Sequence, residues 1–281
     1  MHPTPPEGVG QTVSGHELTY ARYLHLDDLM ELQRGRTGSH DELQFIVVHQ
    51  VFELWFKLLL HELRAIRSAM QLGDLRGANR LLRRTHEILR ILIAAFPLLE
   101  TMRPADFLEI RSELREASGF QSRRFREIEF ISGLRDQRYL QVFEDDPEDQ
   151  AVLRAALQEP TLWDAFVGLV KRKGYPAQSD EEIIRALIAI HVSDRHPAMD
   201  TLVDGLLEYD LLFAQWRTRH VLMVERMIGA KPGTGQKQVA QVAGAGYALA
   251  SGVDYLKTTL HKRFFPLLWQ ARTFLGRGGP A

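Results

Sequence analysis

The chain contains no cysteine in its 281 residues. That excludes a structural disulfide, a thiolate-held zinc or iron–sulfur cluster and a cysteine nucleophile. It also has almost no net charge: 35 Lys and Arg stand against 36 Asp and Glu, for a balance of -1. A balanced chain carries no gross basic footprint for nucleic acid. Long apolar runs are missing too. Phe45–Leu60 is interrupted by Glu53 and Lys57, and Ile91–Leu99 by Pro97. Both fall short of the about 18 uninterrupted apolar residues that span a bilayer. The opening MHPTPPEGVGQTVSG has no basic segment followed by an apolar one, so it does not read as a secretory signal. These absences predict a cytoplasmic protein with neither a membrane nor a nucleic acid as partner.

What is present is helical patterning. Composition is that of a globular protein, 45% hydrophobic and 25% charged. Flexible tails are expected at 1–15 and 276–281, flanking one domain over 16–275. From Asp41 to Gln71 the residues Leu43, Ile46, Val47, Leu54, Leu58 and Leu63 follow a helical stripe. Ser39 and Glu42 suggest a capping box ahead of it, and Gly73 a C-cap behind it. Further helices are predicted over Leu75–Phe96, within Asp106–Glu116, over Phe120–Gly133, and as a pair within Pro147–Lys173 broken at Pro160. Asp180–His191, Met199–Ile228 and a last helix over Tyr255–Phe274 complete the set. No hairpin or repeat is evident, so the fold class is all-α.

Eleven histidines raise the question of which carry chemistry. His49 lies four residues after Phe45 on a buried helix, and His220 lies late in the second long helix beside Trp216 and Met223. Each alone reads as a core histidine with a local hydrogen bond. Together, on two long buried helices, they are also a way to hold haem or a metal between facing helices. His61 and His86 sit on more charged faces and read as solvated. No HExxH or duplicated Glu-x-x-His occurs, which argues against a zincin or a di-iron bundle. Arg111, four residues after Phe107, reads either as a carboxylate-binding arginine or as a surface ion pair with Glu109 or Glu113. The stretch KPGTGQ, Lys231–Gln236, lacks the Gly-Lys-Ser/Thr of a nucleotide loop.

Several segments, in order, resemble the tryptophan 2,3-dioxygenase family: LTYARYLHLDDL (Leu18–Leu29), HDELQFIVVHQVFELWFKLLLHEL (His40–Leu63), SGFQS (Ser118–Ser122) with FREIEFISG (Phe125–Gly133), QWRTRHVLMVERMIG (Gln215–Gly229), GTG (Gly233–Gly235) and SGVDYLKTTLHKRFFPLLW (Ser251–Trp269). The resemblance implies a helical haem-binding domain, a homotetramer with b-type haem, ferrous when active, and dioxygen as co-substrate. It implies oxygen insertion at the indole C2–C3 bond of L-tryptophan to give N-formylkynurenine. It implies His220 as proximal iron ligand, Ser118 and Gly119 as cofactor-lining residues, and His49 as acceptor for the indole N–H. Phe45 and Phe107 are implied as indole walls, Arg111 and Thr234 as the grip on the amino-acid end. Tyr20, Tyr23 and Leu24 match a segment that a neighbouring subunit inserts into the pocket.

Two positions depart from the pattern. Phe107 stands where the family usually has tyrosine. Gln236–Ala250 separates GTG from Ser-Gly, which the family joins almost directly. Both touch substrate recognition. They suit the competing expectation of a superfamily monooxygenase that places one oxygen on C2 of a tryptophan derivative, such as β-methyltryptophan, giving an oxindole.

Overall fold

The computed structural model describes residues 18–193, 195–243 and 252–276. The expected N-terminal tail, all but Gly276 of the C-terminal one, and residues 244–250 of the interruption lie outside them.

Two short helices, α1 (Tyr20–Leu24) and α2 (Leu26–Met30), precede the 31-residue α3 (Glu42–Leu72). Then come α4 (Leu75–Ala94), α5 (Phe96–Leu99), α6 (Pro104–Leu114), α7 (Arg123–Ser132), α8 (Pro147–Gln158), α9 (Leu162–Arg172), α10 (Asp180–Val192) and the 32-residue α11 (Pro197–Ile228). The last are α12 (Gln236–Ala243), α13 (Gly252–Thr258) and α14 (Pro266–Phe274). Single 3-10 segments occupy Gly119–Gln121 and Gln137–Phe143. There is no strand among the described residues, so the all-α expectation holds.

The frame is α3 and α11, both laid against α4, with α9 on α3 and α14 on α10. Their meeting faces are aliphatic: Leu59, Leu63, Ile66 and Met70 of α3, Leu82 and Leu92 of α4, and Leu202 and Leu206 of α11 are essentially without solvent contact. By length and composition α3 is the one described helix apolar enough to cross a membrane. One face of it, with Phe52, Phe56, Leu59, Leu63, Ile66 and Met70, is buried in the core, while Leu43, Val47 and Leu54 are exposed. Asp210, fully buried on α11, accepts the amides of Phe264 and Phe265 at 3.1 Å and the Trp269 indole N–H at 2.9 Å. Three donors offset the cost of burying the carboxylate and pin the Phe264–Phe265 corner against α11.

Three local expectations are corrected. The Ser39–Glu42 capping box does not form: Asp41 is the N-cap, and Glu42 turns back to accept the amides of Arg36 (2.9 Å) and Thr37 (2.6 Å) and the Thr37 hydroxyl (2.7 Å). An acidic side chain near a helix start serves whichever free donors lie closest, and here the preceding loop supplies them. The single last helix is two, because Pro266 has no N–H and its ring bars helical continuation from Leu260–Phe265. His86 is buried, not solvated: its Nε2 meets the Gly205 carbonyl at 2.9 Å across the α4–α11 seam. Gly73 ends α3 at φ +78°, the left-handed C-cap expected of it.

Candidate active site

Toward one end of the frame the N-terminal half of α3 and the C-terminal half of α11 part. Between them lies a cavity of about 540 Å3, lined also by α6, the Ser118–Gln121 turn, α7, α12 and α13. That volume falls within the about 300–1,000 Å3 typical of small-molecule and cofactor sites. Its walls are mainly aromatic: Phe45, Phe52, Phe56, Phe96, Phe107, Phe125 and Trp216.

His49 enters from α3. Its ring lies 4.0 Å from that of Phe45 and 6.2 Å from that of Phe52, and its free surface opens onto the cavity. Nδ1 meets the Phe45 carbonyl oxygen at 2.7 Å. A carbonyl only accepts, so Nδ1 carries the proton, and in the neutral ring Nε2 is a bare acceptor. Neutrality follows from the setting. Burial lowers the His49 pKa, against the opposing pull of the Phe45 carbonyl and the Glu53 carboxylate.

His220 enters from α11, between the rings of Trp216 (5.3 Å) and Phe96 (5.9 Å). Burial, and then the nearby His49, lower its pKa to about 4. Its ring nitrogens have no hydrogen-bond partner among the described residues. An imidazole kept neutral, fixed by stacking and left without a partner has the chemistry of a metal ligand.

The deep end of the cavity is polar, and sequence reasoning missed it. Arg126 and Glu129 of α7 and Arg217 of α11 are all buried there and all line the space. Arg126 donates to Glu129 at 2.6 Å and Arg217 donates to it at 3.1 Å. Arg126 stacks on Tyr139, whose hydroxyl lies 3.0 Å from that of Tyr255. Two buried guanidiniums share one carboxylate, and the Arg126 Nε has no partner among the described residues. The surplus positive charge favours an anion in the cavity. No periodicity signals this, since Arg and Glu at these positions normally face water.

Arg111 and Thr234, less buried than that cluster, line the cavity as well. Arg111 pairs with neither Glu109 nor Glu113; its Nη2 donates to the Pro232 carbonyl, which draws α6 onto the GTG turn. Gly233 and Thr234 also line the cavity, and a smaller polar hollow of about 320 Å3 adjoins them beside Ser112 and Arg115. Phe107 stands one helical turn before Arg111, its ring 6.0 Å from that of Phe45.

The structure therefore brings His49, His220, Phe45, Phe107, Arg111, Ser118, Gly119 and Thr234 to one cavity. It leaves Tyr20, Tyr23 and Leu24 outside it: all three are exposed on α1, at 76%, 70% and 40%.

Fold and site together define an all-α enzyme built around an aromatic-walled slot, with an imidazole entering from each of two facing helices. Comparison with known proteins is specific. A family model described as tryptophan 2,3-dioxygenase matches residues 7–182 and 185–275. A tryptophan 2,3-dioxygenase from a Nocardioides species is 47% identical over 269 residues, 93% of this chain and 96% of that protein. Those of Herpetosiphon aurantiacus and Caulobacter vibrioides are 41% and 36% identical, each over 92% of this chain and 98% and 99% of their own length. The chain belongs to the tryptophan 2,3-dioxygenase family, and it is an oxidoreductase of the dioxygenase class.

Proposed function

We propose that the chain inserts both atoms of dioxygen across the C2–C3 bond of the indole of L-tryptophan, giving N-formylkynurenine, with b-type haem held by His220. The observation that carries this reading is the convergence of His49, His220 and Arg111 on one aromatic slot. The residues fit the cofactor on three counts: a neutral, partnerless imidazole for iron, flat aromatic walls for a macrocycle, and a buried surplus of positive charge beside Arg126 and Arg217 for its carboxylates. When bound, the haem supplies the activation of dioxygen that a closed-shell indole lacks.

The remaining work belongs to the chain. The bare Nε2 of His49 accepts the indole N–H and orients the ring, while Phe45 and Phe107 wall it on the same side of the cavity. Arg111 exchanges its bond to the Pro232 carbonyl for a bidentate grip on the substrate carboxylate, and the Thr234 hydroxyl bonds the same end. Ser118 and Gly119 close the cofactor side. Both oxygen atoms end in the product, so each turnover balances without an external reductant.

The same reading makes the active unit a cytoplasmic homotetramer. Tyr20, Tyr23 and Leu24, exposed here, enter a neighbour's site. The exposed stripe Leu43, Val47 and Leu54 on α3 offers an apolar surface for subunit contact.

The test is aerobic turnover of reduced, haem-loaded protein with L-tryptophan and labelled dioxygen, read by mass spectrometry. Two labelled atoms in a formylkynurenine are expected, and a singly labelled oxindole overturns the reading. With Arg111→Ala, haem content stays unchanged and tryptophan affinity falls about 10- to 100-fold, the loss of a charge-assisted bond. Loss of haem from that variant contradicts the role given to Arg111.

A further inference from the structure

We propose that α12 is a wall across the amino-acid end of the cavity, and that Val239 sets the size of substituent tolerated there. This rests on the substrate reading above and names a specificity-determining residue for it.

The chain is pressed into place just before α12. Gly235 adopts φ +75°, and a Cβ there would lie 2.6 Å from the Ser118 side chain, so backbone packs directly on the Ser118–Gln121 turn. From that point α12 starts, with the Val239 amide donating to the Gly235 carbonyl at 3.0 Å. Val239 thus sits one turn beyond Gly235, the residue that follows Thr234.

The helix is held on two faces. Along one, Gln236 and Val239 line the cavity, and Val242, a turn further, packs into the cluster of Phe130, Tyr139 and Phe143. Along the other, Lys237 and Gln241, four residues apart, reach the end of the 3-10 segment Gln137–Phe143. Lys237 Nζ lies 3.1 Å from Glu144 and 3.2 Å from Asp145, and the Gln241 amide donates to Glu144 at 3.0 Å.

The flanks of this excursion meet. The Gly252 amide donates to the Lys231 carbonyl at 3.4 Å, and a Cβ on Gly252 would lie 2.8 Å from the backbone of Gly233. Lys231, Gly233 and Gly252 thus meet beside the cavity, and Gln236 and Val239 of α12 line it from there. Val239 is buried and β-branched, and therefore stiff at χ1. A stiff side chain that lines the same cavity as Thr234, five residues further along the chain, limits what the α-amino end may carry. The indole end is bounded elsewhere, by Phe45, Phe107 and His49.

The experiment compares L-tryptophan, N-methyl-L-tryptophan and a tryptophan methylated on its benzene ring, in the wild-type holoenzyme, Val239→Ala, Val239→Phe and Lys237→Glu. Binding by calorimetry and kcat/KM are both read. Val239→Ala is expected to raise the preference for the N-methyl substrate over tryptophan about tenfold, the scale at which one methyl group is discriminated in a pocket. Val239→Phe lowers it, and Lys237→Glu, which loosens the helix without touching the cavity, shifts it in the direction of Val239→Ala. The ring-methylated ratio stays within about twofold in all variants. Equal shifts for both analogues, or none, overturn the wall. Selectivity that shifts in binding while no variant oxygenates tryptophan upholds the wall and sinks the catalytic reading. Turnover of tryptophan with unshifted selectivity does the reverse.

Discussion

The two long helices are each two different materials. In the C-terminal half of α3, Leu59, Leu63, Ile66 and Met70, and in the N-terminal half of α11, Met199, Leu202 and Leu206, are all buried in one core whose shared partner is α4. In the other halves, Phe45, His49 and Phe52 face Trp216, His220 and Met223 across the cavity. Branched aliphatic side chains interdigitate and fill volume. Rigid planes meet edge to face, as Phe52 and Phe96 do at 5.6 Å, and can wall a slot without collapsing into it. One helix thus secures the fold with one end and leaves room for chemistry with the other. The price of that room is charge: the cavity half holds the buried Arg126, Arg217 and Glu129 and two imidazoles forced neutral.

The largest break in this comparison comes from His220→Ala. If the cavity half serves function and not folding, haem retention is lost and turnover abolished, while the melting temperature of the haem-free protein is unchanged or rises. Soret absorbance per chain and a thermal melt of the apoprotein read the two arms. Holding an imidazole neutral down to about pH 4 disfavours the folded state as pH falls below the usual histidine value near 6.5, since the unfolded chain binds the proton first. The variant therefore also loses that part of the acid sensitivity of the apoprotein.

The converse break is Leu63→Ala in the solid half. A fully buried leucine cut to alanine costs about 2–5 kcal/mol, through lost transfer energy and a cavity that the helices cannot close. Urea denaturation is expected to show that loss with an unchanged m-value, while kcat and KM for tryptophan, taken well below the melt, stay within about twofold of wild type. A large change in KM would mean that the two halves are mechanically one.

Legibility in the sequence followed the same division. The frame was readable because long stripes of Leu, Ile and Val impose a helical period, and the bounds of α3, α8, α9 and α11 come out within a few residues. The split at Pro266 was legible, since proline bars helical continuation, although the apolar period runs past it; Glu42 turning away from Ser39 was not, because it depends on the donors that the preceding loop offers. In the site, Phe45, His49, Phe107, Arg111, Thr234 and His220 were located by resemblance. Their own spacing left His49 and His220 as ordinary core histidines and Arg111 as a surface ion pair. Arg126 and Glu129 were invisible, because burial of a charged residue is a tertiary fact: only α7's enclosure between α3, α8 and α9 turns them inward. The docking of α12 on Glu144 and Asp145 is of the same kind, a contact across 92 residues of chain.

The smallest effect gives the sharpest test of the cavity half. Phe107 and Arg111 lie four residues apart on α6, so both face the cavity from one side of that helix. Phe107→Tyr adds one hydroxyl at the ring's far edge, within the cluster formed with Phe45, Met102 and Met227. If Arg111 grips the carboxylate, the carboxylate gains in that hydroxyl a second donor next to the guanidinium, and tryptophan affinity rises several-fold, about 1 kcal/mol. Calorimetry with tryptamine, which lacks the carboxylate, supplies the control. There the hydroxyl finds no acceptor and must give up water on burial, so affinity is unchanged or falls. A gain shared by tryptophan and tryptamine would mean that the hydroxyl acts on the indole wall, and that the carboxylate lies elsewhere than at Arg111. A gain for tryptophan alone ties Arg111 to the amino-acid end of the substrate and leaves the aromatic walls to the ring.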